Sequence, residues 1–250
     1  MKIRGLLIAV VLAGLAGCGD DEEAANPRLT VSAAASLKNA FEDYGKSFDA
    51  ATARFSFAGS DELAAQIRQG VKPDVYAAAN TKLPEQLFDE GLVAKPVTFA
   101  GNRLVIAVPA DGDVSSIDDL SADGVDLVVG AKSVPVGSYT REVLGRLPAS
   151  ESRAITANFR SEEPDVSGIV GKLTQGAADA GFVYVTDVVA AGDTLRTIDL
   201  PEDIQPTVRY GVAVVKGAKE PEAAEEFVDG LLEGEGLAAM KRAGFLTPPG

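Results

Sequence analysis

"ARFSFAGSDELAAQIRQG", residues 53–70, is two patterns joined at one small turn. The first half alternates, with Phe55 and Phe57 on one side, as a half-buried strand does. The second half, from Asp61 to Gly70, has helical spacing and stops at a glycine. Between them stand only Gly59 and Ser60, small residues at a helix start. A strand that runs at once into a helix is the repeating unit of α/β proteins.

The chain repeats that unit in both directions. Upstream, the β-rich run Arg28–Ala34 precedes Ser36–Ala50, where Leu37, Ala40, Phe41, Tyr44 and Phe48 share one helical face. Downstream come a strand at Pro73–Ala79, a helix in "KLPEQLFDEGL", and a strand at Asn102–Pro109. "SIDDLSADGVDLVVGA" reads as a short helix and a strand. A helix over Ser133–Leu147 has Pro135 in its first turn. A further helix, a strand at Ala180–Val185, a strand in "VRYGVAVV" and a helical pair after Pro221 close the chain. This predicts an α/β body with largely parallel sheets. Spacing does not choose between one doubly wound sheet and two interleaved lobes.

Composition narrows the function. The chain has 250 residues, 46% of them apolar, and a net charge of −14. A nucleic-acid partner would need a basic stripe, which this balance does not supply. There is no His and one Cys, so the commonest general base is absent and no disulfide forms within the chain. Residues 1–17 begin with basic Lys2 and Arg4 and continue as a short apolar run, the pattern of a secretory signal. The run closes on "LAGC", which resembles a lipobox and makes Cys18 the expected lipidation site. Residues 18–27 then form an acidic tether ending at Pro27.

Four junctions share the small-residue strand-to-helix passage: Val31–Ser36, Ser56–Ser60, Val129–Gly137 and Ser161–Gly168. A helix start carries unpaired N–H groups and partial positive charge. Several around one cleft bind an oxyanion without Lys or Arg. The same residues also read as four ordinary N-caps. Other motifs are weak. "GIVGKLT" lacks the first glycine of a phosphate loop, with Val166 in its place. There is no G-x-S-x-G, and no S-x-x-K starts a helix.

Six stretches, in order, resemble the molybdate-binding proteins of bacterial ABC importers: "VSAAASLKNAF", "FAGSDELAAQIRQGVKPDVYAAAN", "NRLVIAVP", "SVPVGSYTREVL", "GAADAGFVYVTDV" and "YGVAVVKGAKEPEAAEEFVDGLL". The resemblance implies a two-lobed periplasmic-binding-protein fold of type II with two hinge crossings, near Asn102–Val105 and Arg209–Val212. Lobe 1 would hold residues 28–102 and 211–250, and lobe 2 residues 103–210. It implies a ligand set of Ser36, Ser60, Val136, Val166 and Tyr184, the two valines donating through their backbones. It implies capture of molybdate or tungstate and delivery to a transporter permease. The protein would be a monomer, extracytoplasmic and lipid-anchored to the cell membrane, with no cofactor, no bound metal ion and no catalysis.

Donors without fixed charge favour a fully deprotonated dianion, because a protonated one brings a donor that needs a buried acceptor. Sulfate or phosphate in the same fold remains an alternative. A Ser-dependent hydrolase with a Lys base and a small organic acid as ligand are further ones. Asp61 departs from the family pattern at a position commonly small or hydroxylated. It is expected to point outward, with Ser60 as the N-cap of its helix.

Overall fold

The computed structural model of the chain describes residues 26–247. Cys18, the signal stretch and all but the last two residues of the tether lie outside them. Two five-stranded sheets organise the rest. The first contains β1 (Arg28–Ala34), β2 (Thr52–Ala58), β3 (Val75–Ala78), β4 (Val97–Asn102) and β10 (Val208–Val214), in the order β2-β1-β3-β10-β4. The second contains β5 (Leu104–Pro109), β6 (Leu127–Gly130), β7 (Phe159–Glu163), β8 (Ala180–Tyr184) and β9 (Leu195–Asp199), in the order β7-β6-β8-β5-β9.

Each sheet is half parallel and half antiparallel, where the sequence reading expected largely parallel strands. β1 runs parallel to β2 and β3, while β10 is antiparallel to β3 and β4. β6 runs parallel to β7 and β8, while β5 is antiparallel to β8 and β9. The reason is connectivity: β5 and β10 are the strands that follow a crossing, so each enters its sheet from the other lobe's side. The chain passes from the first sheet to the second at Asn102–Leu104, and back between Asp199 and Val208. The expected split at residues 210 and 211 is late, because β10 already pairs with β4 at Val208, opposite Asn102.

Helices cover both sheets: α1 (Lys38–Lys46), α2 (Ser60–Arg68), α3 (Lys82–Asp89), α4 (Pro135–Arg146), α5 (Ala149–Ala157), α6 (Val166–Thr174), α7 (Val185–Ala191), α8 (Pro221–Leu232) and α9 (Glu235–Arg242). A tight 3-10 turn over Ala35–Leu37 leads into α1. The two cores differ in material. The first is aromatic, with Phe41 and Phe48 set edge-on to Phe227 at 5.5 and 5.3 Å. Such pairs add about 0.5–1.5 kcal/mol each beyond their burial. The second is mainly aliphatic, built on fully buried Ile106, Leu127, Val129, Val143, Ile155, Ile169 and Val183. At the crossings Tyr210 stands between Tyr184 and Phe245, with ring centroids 5.8 and 5.3 Å away.

Candidate functional site

Between the lobes is a cavity of about 20 Å³. A cavity of ~10–15 Å³ already admits a water, so this one suits a single compact group rather than a sugar or a peptide. Its walls include Ser36, Ser60, Val136, Val166 and Tyr184. All five residues singled out from the sequence thus meet at one place, from both lobes. A larger groove of about 320 Å³ shares Ser36 but none of the other four.

Each junction reaches the cavity in its own way. Gly59, not Ser60, is the N-cap of α2, and it has no side chain to offer the first turn. Ser60 is the first helical residue and only 2% exposed. Its Oγ accepts the Ala79 N–H at 3.1 Å, which leaves its hydroxyl hydrogen free to donate. Ser36 Oγ lies 2.9 Å from Tyr210 Oη. α4 follows Val134, which supplies no capping side chain, and Pro135 holds its first position. The Val136 N–H therefore belongs to the first turn, which has no intrahelical acceptor. On α6 the Asp165 carboxylate caps two groups, the Ser167 N–H at 2.7 Å and the Gly168 N–H at 3.2 Å. That assignment leaves the Val166 N–H over.

These arrangements argue against four ordinary N-caps. At α3, by contrast, a side chain does serve the first turn: Asn80 Oδ1 accepts the Leu83 N–H at 3.0 Å. Ser36 and Ser60 cap nothing. The Ser60 oxygen is held by the Ala79 N–H, so that its hydrogen is available, and Ser36 shares a hydrogen bond with Tyr210.

Tyr184 is the most informative residue. It ends β8 at 1% exposure, and its Oη is the one buried side-chain oxygen or nitrogen among the described residues without a hydrogen-bond partner. Leaving such a group unpaired costs about 1–3 kcal/mol. Burial pushes its ionisation well above the ordinary tyrosine range, with Tyr210, Tyr139 and Asp187 adding to the effect. The hydroxyl therefore stays a donor. Its backbone is fixed by Asp187, whose Oδ2 accepts the Tyr184 N–H at 2.9 Å.

Asp61 is partly exposed and does not line the cavity. The two lobes approach closely at its neighbour Gly59, where a Cβ would overlap the Pro164 carbonyl oxygen and stand 2.9 Å from Asp61 Oδ1. Glycine here is a matter of space, since its φ of −59° is open to any residue. The sequence reading gave Asn102, Tyr210 and Thr186 no part in the site. Asn102 Nδ2 donates to Thr186 Oγ1 at 2.9 Å and reaches Tyr210 Oη at 3.4 Å. Their one sequence signal is polarity inside or beside strongly apolar strands.

The model of the bacterial extracellular solute-binding proteins matches residues 29–246. The chain belongs to this family. It is 35% identical to the molybdate-binding protein ModA of Mycobacterium tuberculosis H37Rv, over 98% of this chain and 97% of that one. Among solved structures, the Azotobacter vinelandii periplasmic molybdate-binding protein matches with a TM-score of 0.79 at 22% identity, over 88% of this chain and all of that one. The sulfate-binding protein SubI of M. tuberculosis H37Rv matches with a TM-score of 0.76 at 17% identity, over 88% and 86%. Both structural likenesses establish the type II binding-protein fold. The fold itself does not choose the anion, and a family of binding proteins gives this chain a binding role.

Proposed function

We propose that this protein captures molybdate, and tungstate with it, in the interlobe cavity and presents it to an ABC transporter permease outside the cytoplasm. The observation that carries the reading is the orphaned Tyr184 hydroxyl, buried in a wall that also holds Ser36, Ser60, Val136 and Val166. A buried donor left unpaired, with hydroxyl and backbone donors beside it, is what a tetrahedral dianion would complete. Ser36 and Ser60 donate through Oγ, Val136 and Val166 through backbone N–H, and Tyr184 through Oη. The cavity's size favours a compact ion over an organic acid, which would also call for an Arg clamp. The relation to molybdate-binding relatives along the whole chain favours molybdate over sulfate. The protein acts as a monomer without catalysis, cofactor or resident metal ion, its first lobe comprising residues 28–102 and the C-terminal segment. Added molybdate should raise the melting temperature progressively, by mass action on the folded state. An unchanged melting curve at millimolar molybdate would refute the proposal.

The leader supports a second part of the reading. Cys18, freed at "LAGC", carries the lipid, and the acidic residues after it tether the folded body to the cell membrane. Among the described residues no helix is long and apolar enough to cross a membrane. Mass spectrometry of the mature protein from its host should find an acylated Cys18 at the N-terminus; a free thiol there would remove the anchor.

A further inference from the structure

We propose that Asn102 and Tyr210 fix the direction in which Ser36 donates, and thereby make the first-lobe wall of the cavity reject a protonated oxyanion. The inference rests on the molybdate reading and adds two positioning residues to it. The chain of bonds starts at the hinge. The Arg103 N–H donates to Asn102 Oδ1 at 2.9 Å. That bond settles which end of the amide is which, and leaves Nδ2 as a pure donor facing the other way. One of its hydrogens goes to Thr186 Oγ1 at 2.9 Å, and the other faces Tyr210 Oη at 3.4 Å. Tyr210 is fully buried and Asn102 is 4% exposed, so water does not substitute for these partners.

Tyr210 Oη therefore receives a hydrogen from Asn102 and must place its own elsewhere. The acceptor within reach is Ser36 Oγ at 2.9 Å. The reverse arrangement, Ser36 donating to Tyr210, would leave the buried tyrosine hydrogen with nothing to meet, at the cost of an orphaned polar group. So the chain runs one way, from Asn102 through Tyr210 to Ser36. Ser36 accepts from behind and presents its hydrogen to the cavity. Burial holds the Tyr210 hydroxyl protonated, which keeps the chain intact across the neutral range. Ser60 is set the same way by the Ala79 N–H. One lone pair of each serine oxygen is taken from behind and its hydrogen faces the cavity, so an anion oxygen that carries a proton meets a donor where it needs an acceptor.

The test is Tyr210→Phe, assayed by calorimetry at neutral pH against molybdate and inorganic phosphate. Removing the hydroxyl leaves Ser36 Oγ free to accept, so a P–OH group gains a partner while the donor to molybdate loses its polarisation. Molybdate should bind about 3–10-fold more weakly than to the wild type, phosphate should bind more tightly, and the ratio should narrow at least tenfold. A merely structural role would weaken both anions together. A common loss, or an unchanged ratio, overturns the proposal. Asn102→Ala, which removes the first donor, should shift the ratio in the same direction, and it decides the matter if Tyr210→Phe fails to fold. Failure of the wild type to bind molybdate would overturn the functional reading and this inference with it. Wild-type binding with an unmoved ratio in both variants overturns this inference alone.

Discussion

The two lobes offer the cavity the same chemistry from different material. The first offers side chains: the Ser36 hydroxyl, bonded to Tyr210, and the Ser60 hydroxyl, held from behind by the Ala79 N–H. The second offers mostly backbone, at the uncapped start of α4 and at the one first-turn N–H of α6 that Asp165 leaves over, with Tyr184 as its single side-chain donor. Among the described residues each lobe also buries one carboxylate, and the outcomes are opposite. Asp74, 1% exposed, is pushed up by burial but pulled further down by bonds from Thr30, Lys219 and Glu220, so it stays below the usual carboxylate range. Its contribution to stability is present at neutral pH and lost as pH falls through that lowered value. Asp187 meets burial first, then the charge of Asp165, against one N–H from Tyr184, and is pushed up to about 7. The folded state there holds a proton that the unfolded chain releases, so stability falls as pH rises from the ordinary carboxylate range to about 7. The first-lobe carboxylate is settled by its bonds, whereas the second lobe keeps a raised carboxyl three residues from the cavity-lining Tyr184, a pattern common at functional sites.

The sharpest way to break this comparison is at the point where the lobes meet. Gly59→Ala would put a methyl against the Pro164 carbonyl and hold the lobes apart. Molybdate affinity should fall about 100-fold or more, roughly 2.7 kcal/mol, with the unliganded melting temperature little changed. Equal affinity in Gly59→Ala would show that binding does not need this approach.

The second test separates side-chain from backbone donors. Ser60→Ala removes a donor to a charged group and should cost about 1.5–3 kcal/mol of binding. Val136→Ala keeps its N–H and should change affinity by less than about threefold, or ~0.7 kcal/mol, although losing two buried methyl groups costs about 1–2 kcal/mol of stability. Titration calorimetry on both variants measures the difference. Similar losses in the two would remove the backbone assignment at Val136.

The same distinction explains what could be read from the sequence. The strand–helix units were legible wherever the strand was apolar and the helix amphipathic, as in β1, β3, β5, β8 and α2. The elements that escaped are edge or surface pieces. β9, "LRTID", and α5, which buries only Ile155, show little periodicity. β4 carries a glycine and follows a proline, and β7 registered only as a junction. Strand direction is set by two crossings far apart in the chain, which local patterning does not encode. Ser36 and Ser60 were visible as residue types at helix starts. Val136 and Val166 came only through resemblance, because a backbone donor leaves no mark in residue identity. The hydrogen-bond chain through Asn102 and Tyr210 was invisible, since its members are 108 residues apart.

The central claim is that the Tyr184 hydroxyl is left unpaired for the anion, and a melting series on Tyr184→Phe with and without molybdate tests it most directly. Removing an orphaned buried hydroxyl relieves about 1–3 kcal/mol, and each kcal/mol is worth about 2–4 °C in a chain of this size. Without ligand, Tyr184→Phe should therefore melt above the wild type. With molybdate, it should gain less than the wild type, because one donor to the dianion is gone. A variant that melts at or below the wild type unliganded, and gains as much from molybdate, would contradict the account.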